Sequence, residues 1–340
     1  MRTWVSRYGV GIALVALVLL AAIGVPGFFS RDNLTTVLLH VSINAILALG
    51  MTFVIVTAGI DLSVGSVLAL AGVLTAATLT NGSLLGAIGV AGTVVVAMAI
   101  GLGTGVAAGM VNGAVIARFG VAPFMVTLAA MTIARGAARL FTGGVPIGFP
   151  GTGDPAFDAK VAALDALNVL GGGRIPVPGL PRGFPVPAVI MLLLAVAAVF
   201  VLTRTRFGRY VYAVGGNEEA ARLAGVPVGA VKLGVYAIAG GCAGLAGVLL
   251  VGQLRSGGPD AGALYELNAI AAAVIGGASL FGGVGTAAGA LIGALIIGVL
   301  NNALDLLGVQ SFWQEIVKGT IILLAVLFDV WTKRGSVRTP

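Results

Sequence analysis

The chain has 340 residues, of which 59% are hydrophobic and only 9% are charged, and its mean hydropathy is +1.10. Soluble domains carry roughly a quarter of charged residues, so this composition excludes an ordinary soluble protein and indicates an integral membrane protein surrounded by lipid. The formal net charge of +7 is spread over short polar segments, which excludes a nucleic-acid-binding surface. In a membrane protein, Lys and Arg instead mark the cytoplasmic side.

Apolar segments of about twenty residues, the length that crosses a bilayer as a helix, recur along the whole chain. They predict an all-α fold, a polytopic transmembrane helical bundle of about ten spans that forms a single domain over 1–340. The block 85–117 is too long for one upright helix, and its glycines at 101, 103 and 105 predict a kinked span or two shorter segments. The predicted spans are 8–29, 37–57, 64–80, 85–117, 122–141, 187–203, 231–252, 266–284, 286–304 and 312–331.

The basic residues favour a topology with both termini in the cytoplasm. Three arginines between residues 204 and 209 follow one predicted span, and the inverted arrangement would strand them outside. On this topology the hydrophilic segment 142–186 faces outward, and the shorter segment 204–230 faces the cytoplasm. The outer segment is rich in Gly and Pro, so we expect mostly irregular loop, with a helix from Phe157 to Leu170 along the membrane surface. It is either a spacer or a docking surface for an extracytoplasmic partner.

The cytoplasmic segment contains a compact helix signal. Asn217 is a candidate N-cap, Glu218 and Glu219 stand in the first turn, and Gly225 followed by Pro227 is typical of a helix end. A short, well-terminated helix on the cytoplasmic side of a membrane protein is suited to contact another subunit. This helix is therefore our candidate contact with a partner.

Two glycine-containing breaks, near 59–66 and 276–286, separate apolar runs and predict interrupted or re-entrant segments. In the first break, Asp61 and Ser63 either cap the helix that follows or line a cavity. In the second, five glycines predict a tight turn or a close helix crossing, and Phe281 is either a gate residue or a lipid-facing side chain.

No catalytic or metal-binding constellation is evident in the sequence. His40 and Cys242 are the single histidine and cysteine, and no Gly-Lys pair exists to form a phosphate-binding loop. The chain is therefore not expected to hydrolyse nucleotide by that route. Among polar residues within spans, Asn44 is a candidate for a translocation path, with hydrogen bonding between helices as the alternative.

Coupling to an ion gradient usually needs ionisable side chains deep in the membrane. The sequence predicts Glu266, Asp260 and Asp305 at the outer edges of spans, which leaves Asp61 as the carboxylate expected at depth. This is thin support for an ion relay. An ion-coupled secondary carrier is therefore the alternative, and a transporter driven by another subunit is preferred.

Eight segments, distributed over nearly the whole chain, carry a resemblance to a known family. They are Gly50–Ile55, Gly59–Ser66, Thr205–Tyr210, Gly215–Glu218, Tyr265–Ala271, Gly276–Gly277, Gly282–Gly285 and Ile316–Gly319. Together they resemble the ribose/simple-sugar family of bacterial ABC importer permeases. The resemblance implies a multi-pass subunit of the cytoplasmic (inner) membrane that imports ribose or a similar sugar and has no ATPase site of its own.

The resemblance also implies partners: a cytoplasmic ATPase that binds ATP and Mg²⁺, a periplasmic or lipid-anchored sugar-binding protein, and a second permease copy. It assigns the family's coupling helix, which contacts the ATPase, to Asn217, Glu218, Glu219, Ala221, Arg222 and Gly225. Asp61, Ser63, Asn44 and Phe281 remain the candidates for a translocation path or gate. The segment 142–186 departs from the family pattern. A permease for a different small polar solute stays open as an alternative.

Overall fold

The computed structural model describes residues 2–149 and 155–334. In chain order the helices are α1 (Arg2–Gly24), α2 (Arg31–Val56), α3 (Val64–Leu79), α4 (Gly82–Phe119), α5 (Pro123–Thr142), α6 (Pro155–Gly171), α7 (Val186–Arg204), α8 (Arg206–Gly216), α9 (Glu218–Leu223), α10 (Val228–Leu254), α11 (Tyr265–Ile275), α12 (Ala287–Leu306) and α13 (Ser311–Arg334). The strands are β1 (Ile147–Gly148), β2 (Arg174–Val177), β3 (Leu180–Pro185) and β4 (Ser256–Gly257). Strand β1 pairs with β4, and β2 pairs with β3, both antiparallel.

Ten of these helices, α1 to α5, α7 and α10 to α13, coincide with the predicted spans, so the predicted polytopic helical bundle is confirmed. Within the described residues, six of them (α2, α4, α5, α7, α10 and α12) are long and apolar enough to cross a membrane alone. Helix α2 is the centre of the bundle, because 89% of its most apolar stretch is buried. By contrast, the corresponding stretch of α5 is only 17% buried, so α5 lies at the periphery of the single chain.

The two ends of α2 define two ends of the bundle. At its start, Arg31 donates a 2.7 Å hydrogen bond to the carbonyl of Gly179 in the β2–β3 hairpin. At its other end, Val56 lies against Gly215 of α8. We therefore distinguish a hairpin end, which carries β2 and β3, from an α8–α9 end. The sequence-based topology assigns the α8–α9 end to the cytoplasm.

Helix α4 covers the long block as one element, and its interruption is not where the sequence predicts it. The non-helical residue is Gly89, near the start of the helix, whereas Gly101 and Gly105 are helical. A Cβ atom at Gly105 would meet the carbonyl of Gly240 in α10. These glycines therefore serve close packing of α4 on α10, as small residues do between membrane helices, and do not kink the span.

The described part of the segment 142–186 contains helix α6 and the β2–β3 hairpin, which corrects the prediction of mostly irregular loop. The predicted helix is present as α6, and it packs against the bundle. Leu164 and Leu167 are fully buried among residues of α3, α4 and α10. Asn168 Nδ2 donates a 3.0 Å hydrogen bond to the Gly252 carbonyl at the end of α10. Burial of this apolar face against α4 and α10 stabilises the helix beyond what a surface position would give.

Helix α11 ends at Ile275, whereas the sequence predicts a span over 266–284. The break that follows includes Gly282 and Gly283 at φ values of +81° and +73°, which glycine adopts at little steric cost and a continuing helix excludes. Its 11 residues make α11 about 16 Å long, roughly half of the bilayer's apolar core. Gly276 lies against Gly289, and Ala272 lies against Gly293, so α12 runs back alongside α11 after the break.

Candidate functional site

The polar segment after α7 forms two helices, α8 and α9, and only α9 was predicted from the sequence. Helix α8 begins at a Thr205 cap, whose Oγ1 accepts a 3.1 Å hydrogen bond from the Gly208 N–H. Its residues Phe207, Val211 and Val214 stand at helical spacing and pack against the bundle. Apolar residues at helical spacing directly after a Thr cap predict a helix, so α8 could have been predicted from the sequence.

Helix α9 has the start and the end that the sequence predicts. The Asn217 side chain accepts a 2.9 Å hydrogen bond from the Ala220 N–H, as an N-cap does. The helix ends at Leu223, and Gly225 follows with φ of +81°. The predicted cap and the predicted glycine stop are both confirmed.

The two faces of α9 differ in exposure. Glu219 and Arg222 are exposed, and the Leu223 side chain is 83% exposed at a polar end of the molecule. Ala221 is buried, at 5% exposure, and packs towards the bundle. Of the residues assigned to contact an ATPase, Ala221 therefore cannot do so in this conformation, whereas Leu223 adds an apolar side chain to the exposed face.

Glu218 is also directed towards the bundle. Both of its carboxylate oxygens lie close to Lys232 Nζ, with Oε1 at 2.9 Å and Oε2 at 2.8 Å. Arg222 Nη2 lies 3.1 Å from Oε1, one helical turn along α9. Lys232 is in α10, and its side chain is only 17% exposed, so this ion pair links α9 to a span.

Four residues bring α8 and the two chain breaks together, and we name them the glycine junction: Val56, Gly215, Gly282 and Gly283. The Gly283 N–H donates a 2.9 Å hydrogen bond to the Val56 carbonyl. A Cβ atom at Gly215 would meet that same carbonyl and would lie 2.6 Å from the nitrogen of Gly283. A Cβ atom at Gly282 would lie 2.6 Å from the carbonyl oxygen of Gly215. No side chain larger than hydrogen fits at Gly215 or Gly282 without moving backbone.

A side-chain bond strengthens the same contact. Tyr212 Oη, in α8, donates a 2.6 Å hydrogen bond to the carbonyl of Gly285 in the second break. Helix α8 therefore touches the end of α2 and the segment between α11 and α12.

The first break contains a buried polar cluster. The Asp61 carboxylate accepts hydrogen bonds from the Ser63 N–H at 2.8 Å and from the Ser63 hydroxyl at 2.6 Å. Asn112 Nδ2, in α4, donates a 3.0 Å bond to the same hydroxyl oxygen. All three side chains are at most 2% exposed. Asn112 was not selected as a site residue from the sequence, because its distance along the chain concealed this contact.

The cluster bears on the two interpretations of Asp61 and Ser63. Ser63 is the residue before α3, but its side chain makes no capping hydrogen bond to that helix. Asp61 instead closes a local turn onto the Ser63 N–H, which is a common Asx arrangement. Capping in the form predicted for Ser63 is therefore not observed. A role for either residue in a translocation path remains a prediction.

Asn44 and Phe281 lie apart from this cluster. Asn44 is within α2, about 18 Å along the helix from Val56. Its Oδ1 atom is buried and has no hydrogen-bond partner among the described residues. Phe281 is 62% exposed in the second break. The four predicted path residues thus occupy three separate places, and the structure brings only Asp61 and Ser63 together.

Glu266 is deep in the bundle, which corrects its predicted position at the outer edge of a span. It is 7% exposed, and a Cβ atom at Gly65 would meet its Oε2 atom. Gly65 is in the first turn of α3, and the far end of that 16-residue helix is about 20 Å away. The chain between α10 and α11 turns back into the bundle before α11 begins, which hydropathy alone does not reveal.

Comparisons with known proteins identify the family. Residues 33–326 match the family model described as "Branched-chain amino acid transport system / permease component". The ribose import permease protein of Escherichia coli strain K12 is 44% identical over 328 residues, which cover 96% of this chain and 95% of the relative. The chain belongs to this permease family. No solved structure matches it.

Two further relatives of the permease have similar coverage. The ribose import permease protein of Bacillus subtilis strain 168 is 43% identical over 324 residues, covering 95% of this chain and 92% of the relative. The xylose transport system permease protein of Escherichia coli strain K12 is 38% identical over 361 residues, covering 95% and 91%. The resemblance to simple-sugar permeases is thereby confirmed, and the permease is a multi-pass membrane protein.

Proposed function

We propose that this permease is the membrane-spanning subunit of an ATP-driven importer that carries a monosaccharide, ribose or a similar pentose, across the bacterial cytoplasmic membrane. The observation that carries the proposal is the likeness, over almost the entire chain, to permeases named for ribose and for xylose. Both sugars are pentoses. A likeness that spans all helices supports the same class of cargo better than one confined to a short motif.

The α8–α9 end is proposed as the contact with a cytoplasmic ATPase, which binds ATP and Mg²⁺ and supplies the energy. The exposed face of α9 offers a carboxylate at Glu219 and an apolar side chain at Leu223. Movement of α9 would pass to α10 through the Glu218–Lys232 ion pair and to the two breaks through the glycine junction. Substrate access would then change without any nucleotide site in this chain.

The hairpin end is proposed as the docking surface for a periplasmic or lipid-anchored sugar-binding protein. The β2–β3 hairpin is fixed to the start of α2 by the Arg31 bond to Gly179 and by an ion pair of 3.4 Å between Arg182 and Asp32. A hairpin held in this way presents a defined surface to a partner. A second permease copy completes the proposed assembly.

A substrate panel in a reconstituted system tests the proposal. The permease, its ATPase and its binding protein are placed in proteoliposomes, and uptake of labelled ribose, xylose, glucose and leucine is measured. We expect uptake of a pentose in preference to the other solutes. Uptake of leucine alone would instead assign the permease to the amino-acid branch named in the family description.

A further inference from the structure

The Glu266 carboxylate has one oxygen with no hydrogen-bond partner among residues 2–149 and 155–334. This atom is Oε2, and it is buried. Leaving an acceptor unsatisfied in an apolar interior is costly, so its retention calls for a functional reason.

A cationic side chain contacts the same chain segment as this carboxylate. Glu266 Oε2 and the Gly262 carbonyl both lie against Gly65, and Arg135 of α5 bonds to the residue before Gly262. Arg135 and Glu266 form no ion pair within 4.0 Å among the described residues. Arg135 Nη1 donates hydrogen bonds of 2.8 Å to the Pro259 carbonyl and 2.9 Å to the Ala261 carbonyl. The guanidinium therefore holds the segment before α11 while its remaining N–H groups stay available as donors.

This pair lies just beneath an accessible face of the bundle. Leu264 and Leu267, on either side of Glu266 in the chain, are 44% and 41% exposed. Helix α5, which carries Arg135, is the least buried of the long apolar helices. Ionisable side chains at membrane depth usually face a cavity or a transport path, because lipid does not solvate them.

Resting on the proposed function, we propose that Arg135 and Glu266 form a sugar-binding site within the membrane, where Arg135 donates hydrogen bonds to the monosaccharide and Glu266 Oε2 accepts one from a sugar hydroxyl. Each sugar hydroxyl can donate and accept hydrogen bonds. Arg135 provides the donors for such hydroxyls, and Glu266 provides the acceptor. Gly65 leaves the space that the carboxylate occupies, since any Cβ atom there would meet Oε2. In this conformation the segment between β4 and α11 covers the site, and its displacement admits the sugar.

The test uses the complete importer, with ribose and its monodeoxy analogues delivered by the same saturating binding protein. The binding protein's preference among these sugars is then the same for variant and wild type, so a difference between the two reports on the permease. We expect Glu266→Gln to lower the rate of ribose uptake about tenfold, the loss expected for one hydrogen bond to a charged group. We also expect the variant to lose the wild-type preference for ribose over the one analogue that lacks the recognised hydroxyl. Asp165→Asn is the matched control, because this carboxylate on α6 is exposed and already has an ion-pair partner, Arg255, at 2.7 Å.

The outcomes separate binding from a structural role. Unchanged uptake and unchanged preference in Glu266→Gln would overturn the proposal, and so would an equal loss for ribose and every analogue. If Glu266→Gln does not assemble, Arg135→Gln is tested in the same way, and failure of both variants to assemble would assign the pair a structural role. Absence of pentose uptake by the wild-type importer would count against the proposed function itself, and that result is obtained before any variant is made.

Discussion

The Gly283 N–H donates a 2.9 Å hydrogen bond to the carbonyl of Val56, and this bond joins two chain breaks that are far apart in sequence. Gly215 of α8 lies against both residues. The contact between the α8–α9 end and the interrupted spans is therefore made by backbone atoms. Backbone atoms in direct contact move together more closely than flexible surface side chains do. We therefore expect substitutions in the glycine junction to reduce transport while the partner ATPase still hydrolyses ATP.

Substitution of Gly215 by Ala tests the glycine junction. The added methyl group would meet the Val56 carbonyl, and overpacking of this kind costs about 1–3 kcal/mol. We expect sugar uptake to fall roughly tenfold or more while membrane insertion is retained, since the overpacking is confined to this contact. Gly216→Ala is the matched control, because a Cβ atom at Gly216 has no atom within 4 Å. Equal uptake in the two variants would contradict a role for close packing at Gly215.

Removal of the Lys232 charge tests the link between α9 and α10. Lys232 is largely buried in its pair with Glu218, whereas Arg222, which pairs with the same carboxylate, is 66% exposed. Exposed ion pairs contribute about 0–1 kcal/mol, and loss of a less exposed partner costs more. We expect Lys232→Gln to raise backbone hydrogen exchange in α9 more than Arg222→Gln does. Similar exchange in both variants would show that α9 does not depend on Lys232.

Substitutions on the exposed face of α9 test the proposed ATPase contact. Leu223→Asp and Glu219→Lys change side chains that do not pack in the permease itself, so folding should be retained. We expect the ATPase to co-purify poorly with either variant and uptake to be lost. Charge reversal of Glu315, an exposed acid of α13, is the control. The preceding Gln314 bonds to Asp305 of α12, and the nearby Asn302 bonds to Asn33 at the start of α2, so Glu315 lies towards the hairpin end. Normal sugar-stimulated ATPase activity in the α9 variants would remove α9 from the contact.

Asp61→Ala tests the buried polar cluster. The substitution leaves the Ser63 N–H and hydroxyl without their carboxylate, and an unsatisfied buried polar group costs about 1–3 kcal/mol. Asn112→Ala removes only one bond to the Ser63 oxygen, so we expect a smaller effect on uptake and on thermal stability. Uptake at the wild-type rate in Asp61→Ala would limit this residue to the local turn before α3.

The helix signals that depend on neighbouring residues were predictable from the sequence. Asn217 and Gly225 defined α9, and the glycines of 276–286 marked the second break. Features that depend on contacts between residues far apart in the chain were not predictable from the sequence. Glu266 was predicted at an outer edge because hydropathy does not register that the chain turns back into the bundle before α11.

The segment 142–186 illustrates the same limit. The helix from Phe157 to Leu170 was predicted, but its burial against α4 and α10 and the β2–β3 hairpin were not, because composition does not report contacts between distant residues. The α8 helix is the opposite case. The apolar residues of α8 follow the Thr205 cap at helical spacing, so this helix could have been predicted from the sequence.

The energy source of uptake is the most direct test of the account. Proteoliposomes containing the wild-type permease, its ATPase and its binding protein are loaded with Mg-ATP or with a non-hydrolysable analogue, and pentose accumulation is followed with and without a protonophore. The account predicts accumulation against the gradient with Mg-ATP, none with the analogue, and no effect of the protonophore. Accumulation that persists with the analogue and collapses with the protonophore would contradict it and indicate an ion-coupled carrier.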